Sequence, residues 1–126
     1  MGNYRIDCLD DDRVVRIITE GRQGPAEHAV WIREGLAEAG RRGCRKFIVD
    51  HRRMELDFAF IEIYEWPRQL KAMGVEAGMR VAIVIAATDP KTQDYRFFED
   101  VAFNNGLPLM RLFSDYDPAL NWLREG

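Results

Sequence analysis

Serine occurs once in this chain, at Ser114, and histidine twice, at His28 and His51. With no GxSxG elbow, a serine-hydrolase arrangement has no nucleophile to build on. Cysteine is equally sparse. Cys8 and Cys44 lack CxxC spacing and neighbouring histidines, and each falls in a strand-like run, which reads as two buried free thiols. An excess of either charge is missing too: Lys+Arg 18 against Asp+Glu 21 leaves a net charge of −3. A pI near 5.4 supplies no general field for nucleic acid or an anionic membrane. The longest apolar run, Val81 to Ala87, is far short of the about 20 residues that span a bilayer. The start, MGNYRIDCLDDD, has acids where a signal peptide has basic residues and an apolar run, and Gly2 lacks the downstream Ser or Thr of a myristoylation signal. The expectation is a cytoplasmic protein.

What is present suits one fold. A chain of 126 residues that is 47% hydrophobic buries roughly two thirds of its unfolded surface, enough for a core without disulfides or metals. Tyr4 to Leu9 reads as a strand, Asp10-Asp11-Asp12 as a turn, and Arg13 to Glu20 as a second strand, giving a candidate hairpin. From Ala26 to Gly40, Ala29, Ile32, Leu36 and Ala39 recur at helical spacing, with Pro25 suited to the first turn. Cys44 to Asp50 is strand-like and runs into a polar loop, His51-Arg52-Arg53. Asp57 is placed to cap the next segment, Phe58 to Met73. Pro67 interrupts it, which predicts a short turn from Phe58 to about Tyr64 and a helix starting near Pro67. Met79 to Ala86 is apolar almost without alternation, as in a parallel strand covered on both faces. Lys91 to Asn105 is a third helix, Leu109 to Phe113 a last strand, and Pro118 to Arg124 a last helix. One strand followed by four strand-then-helix units means a single α/β domain over residues 1–126: a largely parallel sheet with an antiparallel N-terminal edge strand, covered by about four helices.

In open α/β sheets, ligands bind beyond the carboxyl ends of the strands. The expected exits carry Glu20-Gly21, Asp50-His51-Arg52, Thr88-Asp89 and Ser114-Asp115. An acidic metal-dependent site there would need at least two of Asp50, Asp89 and Asp115 to converge, and an aspartate before a helix is normally a cap or turn residue. Gly21-Arg22-Gln23-Gly24-Pro25 is a poor phosphate cradle, because proline removes an amide. No catalytic, cofactor-binding or metal-ligating residue is assigned. The basic stretch from Arg41 to Arg53 is split by a strand, leaving Arg52 and Arg53, beside His51, as an anion or partner contact at its exit. Trp31, Phe103 and Trp122 fall off the expected apolar stripes. With Phe58, Phe60, Ile61, Ile63 and Tyr64 they raise the expectation of a surface apolar patch.

The element order and the residues from Arg80 to Leu123 resemble the SpoIIAA-like, or STAS-type, small bacterial proteins. VAIVIA is followed by Asp94-Tyr95-Arg96-Phe97-Phe98-Glu99-Asp100-Val101-Ala102, then Asn104-Asn105-Gly106, Leu112-Phe113-Ser114-Asp115 and Ala119-Leu120-Asn121-Trp122-Leu123. The resemblance lies in the FFE-x-VA helix, the N-x-G stop and the A-L-x-WL tail. It implies a SpoIIAA-like domain acting through protein contacts. In antagonists of anti-sigma factors of this type, a serine opening the helix after the Asp-ending strand is phosphorylated. Aligning Asp50 and Asp57 with that pattern places Phe58-Ala59 where the hydroxyl residues belong, so the resemblance carries no phosphoserine switch at that point.

The sequence thus predicts a non-enzymatic interaction module without cofactors, acting as a homodimer or on a protein partner. Its expected contact surface runs from Asp50, His51 and Arg52 through Asp57, Phe58 and Phe60 to Tyr64. The alternative is a carrier or sensor of a small hydrophobic ligand, by analogy with the CRAL-TRIO carriers that share this superfold, and it predicts an apolar cavity above about 300 Å³. An acidic-site metal enzyme is the third reading.

Overall fold

Val14 and Val15 lie on opposite faces of their strand, and both are fully buried, so the sheet they open is covered on two sides. A computed structural model describes residues 2–57, 60–107 and 109–125, with backbone alone for Phe60, Ile61, Ile63, Tyr64 and Leu109. Its elements, in chain order, are β1 (Asn3–Leu9), β2 (Val14–Gln23), α1 (Pro25–Arg42), β3 (Lys46–Leu56), α2 (Phe60–Met73), β4 (Arg80–Val84), α3 (Thr92–Asn104), β5 (Leu109–Phe113) and α4 (Tyr116–Glu125). The strands form one sheet in the order β1-β2-β3-β4-β5. β1 runs antiparallel to β2, and the other pairs are parallel. The expected architecture is the one found.

Right-handed crossovers between sequential parallel strands carry their helices to one side of a sheet. On that side Val15, Ile17, Phe47, Val49 and Val81 pack with Trp31 and Ala39 of α1, while Trp66, Leu70, Tyr95 and Ala102 of α2 and α3 close the core beside Met54 and Leu56. Val14, Ile48, Ala82 and Val84 project to the other face, where α4 lays down Ala119, Trp122 and Leu123. Trp31 and Trp122 are therefore core residues, 4% and 8% exposed, and not parts of a surface patch; Phe103, at 74%, is exposed.

Helix ends follow the local chemistry. The Gly24 N–H donates to Glu27 Oε1 at 2.7 Å at the start of α1, and Pro25 needs no donor there. Gly43, at φ 67°, ends the helix in the left-handed conformation. Asp89 Oδ1 accepts the Lys91 N–H at 2.8 Å ahead of α3. Cys8 and Cys44 are free thiols whose sulfurs stand 4.0 Å apart.

Two expectations fail. The segment His51-Arg52-Arg53 is not a loop: β3 continues to Leu56 and pairs with an equally prolonged β2. Ile18 faces Asp50 and Glu20 faces Arg53, so His51 and Arg52 together oppose Thr19 alone. That bulge reverses the alternation, and its polar residues mimic a loop. Up to Arg52 the odd positions, Phe47, Val49 and His51, face α1; beyond it the even positions Met54 and Leu56 do. Likewise α2 is one helix with Pro67 inside it, not two segments. Trp66, Pro67 and Leu70 are all buried, and their burial offsets the backbone hydrogen bond that proline removes.

Candidate functional site

Strand alternation sorts the expected contact residues onto opposite faces of the sheet. Asp50 points to the α4 side. Its Oδ1 accepts the Arg52 backbone N–H at 3.1 Å and Arg52 Nε at 3.0 Å, and its Oδ2 accepts a second guanidinium N–H at 2.8 Å. Burial works to raise its pKa, but the Arg52 hydrogen bonds outweigh it and hold the carboxyl below the usual carboxylate range. The Arg52 side chain remains 45% exposed, with its guanidinium carbon 5.8 Å from the centre of the Tyr116 ring. Arg16 reaches the same tyrosine, donating to its hydroxyl at 3.4 Å while making a two-pronged pair with Asp7. These groups form a charged rim where β2 and β3 meet the start of α4.

His51 does not belong to that rim. It is 3% exposed and faces α1, so it cannot serve as a polar contact on an outer surface. Asp57 is exposed, donates its N–H to the Gln23 carbonyl at 2.9 Å and pairs with Arg22 at 3.4 Å. Phe58, and with it the capping expected of Asp57, lies outside the described residues, as do the side chains of Phe60 and Tyr64. Asp89 serves as a turn residue before α3. Among the described residues, no three His, Cys, Asp or Glu side chains are grouped to hold a metal ion.

On the α1 side the two histidines meet. Their ring centroids are 5.6 Å apart, with Trp31 at 4.7 Å from His28 and 5.5 Å from His51, and with Tyr95 at 6.1 Å from His51. His28 Nδ1 contacts the Gly24 carbonyl at 3.1 Å. Thr19 Oγ1 donates its single hydrogen to the Asp50 carbonyl at 3.3 Å. The same hydroxyl is hydrogen-bonded to His51 Nδ1 across 2.5 Å. Gln23 is used on both sides of its amide: its nitrogen donates to the carbonyls of Asn3 and Glu20, and its oxygen accepts the Trp31 indole N–H at 2.9 Å. Burial pushes His28 down to about 4. It pushes His51 well below the ordinary histidine value too, with His28 adding repulsion. Both rings are neutral at physiological pH.

His28, Trp31, His51 and Tyr95 border an apolar cavity of about 110 Å³ between the sheet and α1, α2 and α3. Nothing in the spacing of His28, Trp31, His51, Trp66 and Tyr95 marks them as a group. The available signal was that α1, the middle of β3 and the inner stripe of α3 must share one face of the sheet.

No protein-family model matches this chain, and no curated protein does. Solved structures do. An uncharacterised protein of the DUF3478 family with a SpoIIAA-like fold, from Shewanella loihica PV-4, aligns over 97% of this chain and 93% of its own, with a TM-score of 0.61 at 18% identity. The chain has a SpoIIAA-like fold. The same SpoIIAA-like frame is shared with the anti-sigma factor antagonist SpoIIAA in its unphosphorylated form, over 97% and 98% of the two chains at TM-score 0.55 and 15% identity. The Bacillus cell fate determinant SpoIIAA in its phosphorylated form matches over 96% and 99%, at 0.54 and 14%.

Proposed function

We propose that this SpoIIAA-like domain is a non-enzymatic protein-interaction module that self-associates through the end of β3, from the Arg52 rim beside α4 to the start of α2. The observation that carries this reading is Arg52: nearly half exposed, yet held in one orientation by Asp50 and set beside Tyr116. An arginine ordered before contact loses little entropy on binding, and arginine and tyrosine are over-represented among the residues that dominate interface energies. The likeness in fold to an anti-sigma factor antagonist supports a protein partner. With Phe58-Ala59 where a phosphorylated hydroxyl residue would stand, the contact is not switched by phosphorylation at that point.

Sedimentation velocity tests the surface with Arg52→Glu and Phe60→Asp. The wild type is expected to sediment as a dimer and both variants as folded monomers. A monomeric wild type, or variants that sediment unchanged, would count against it.

The apolar cavity favours a second reading, a carrier or sensor of a hydrophobic ligand. Lipid-sized and drug-sized ligands occupy about 300 Å³ or more. At about 110 Å³ the cavity limits this reading to a compact molecule.

A further inference from the structure

Tyr95 projects from α3 into the cavity wall, is 6% exposed, and has a buried hydroxyl that meets no hydrogen-bond partner. A buried hydroxyl left unpaired opposes folding, and phenylalanine would fill the same shape without that penalty. The cavity has the same character. Close-packed interiors rarely keep voids larger than a water molecule, since the lining atoms lose their dispersion contacts. Tyr95 and His51 both line this void.

We propose that the cavity is a binding site for a neutral, single-ring aromatic molecule carrying one hydroxyl group, phenol being the simplest member of the class. An apolar cavity of about 150 Å³ in another protein admits benzene, and at about 110 Å³ this one takes a single ring only if its wall gives. Met79 and Met110 line this one, and their unbranched thioether chains let the wall adapt. A ring placed here packs against Trp31 and His51. Its hydroxyl accepts a hydrogen bond from Tyr95. Charge is selected against, because burial holds His28 and His51 neutral and Asp94, at the cavity edge, already pairs with Lys91 at 3.9 Å. This inference rests on the compact-ligand reading and is independent of the Arg52 rim, so its failure leaves the interaction surface standing.

The test is an NMR titration of the full chain with phenol, benzene, benzoate and benzylammonium, following the Trp31 indole N–H and the Tyr95 amide. Phenol is expected to bind saturably at these signals, and benzene about tenfold more weakly, the loss of one hydrogen bond. Neither ion is expected to shift them. Tyr95→Phe should bring phenol to the affinity of benzene while leaving benzene binding and the thermal midpoint undiminished. Equal affinities for phenol and benzene in the wild type, phenol binding unaltered in Tyr95→Phe, or saturable binding of either ion overturns the proposal. If Tyr95→Phe does not fold, Ile83→Phe fills the cavity from β4 and should abolish binding of both neutral probes. Retained phenol binding there also overturns the proposal.

Discussion

His28 and His51 are each buried as the neutral ring, which makes them acid-sensitive members of the core. The ordinary value is 6.5, and His28 sits at about 4 in the folded chain. Between those values the unfolded chain binds a proton that the folded chain refuses, so stability is full above about pH 6.5 and falls as the pH drops towards 4. His28 alone accounts for about 3 kcal/mol over that window, at about 1.4 kcal/mol per pH unit, and His51 acts in the same direction. Asp50, depressed by Arg52, adds a loss only at lower pH, as its own carboxyl protonates. Urea unfolding should therefore give a constant midpoint from pH 8 to 7 and a steep decline from pH 6.5 to 4.5. A flat midpoint down to pH 5 would show that the rings are not buried neutral. At this scale Asp50 and Arg52 were readable as neighbours two residues apart, but their separation from His51 was not, because the polar run reads as a loop and only a strand sends alternate residues to opposite faces.

Among the elements, α1 shows how far local chemistry goes. Gly24, Pro25 and Glu27 start it, and Arg41, Arg42 and Gly43 end it. Each is a recognisable signal in the chain, and the expected helix differs from the observed one only in its terminal residues. Gly43 adopts φ 67°, and a Cβ there would approach an Arg13 guanidinium nitrogen at 3.0 Å. Gly43→Ala is expected to cost about 1 kcal/mol, measured as a lower urea midpoint with an unchanged slope. α2 and β3 are the counter-examples. Pro67 signals a break, yet the helix runs through it because Trp66, Pro67 and Leu70 are buried against α3 and the sheet. The end of β3 reads as a loop because His51, Arg52 and Arg53 are polar. It is a strand because the far end of β2, from Glu20 to Gln23, is there to pair with it. Pairing between strands far apart in sequence leaves no local trace.

For the molecule as a whole, the two faces of the sheet are unequally covered. Three helices close one face, whereas the face bearing Val14, Ile48, Ala82 and Val84 depends on α4. Leu123, fully buried at its centre, should therefore be felt across the domain. Leu123→Ala is expected to cost about 2–5 kcal/mol and to lower the midpoint of a single cooperative transition. A separate early melting of α4, seen by a probe at Trp122, would instead make that helix an independent unit. The largely parallel sheet, its antiparallel first strand and the cover of about four helices were legible, because alternating apolar strands and amphipathic helices admit few right-handed arrangements. The expected partition of core and surface was less secure: Trp31 and Trp122 lie off their helical stripes, but α1 and α4 are pressed against the sheet closely enough to bury them. The amino-acid sequence by itself determined the α/β fold class, where α1 begins and ends, and that Asp50 and Arg52 lie close together. Only the tertiary structure decided that β3 continues past a bulge, that His51 turns inward to meet His28, and that Tyr95 closes a cavity with them. The physical reason is range: caps and periodicity act within a few residues, whereas a cavity is what remains after elements distant in sequence have packed.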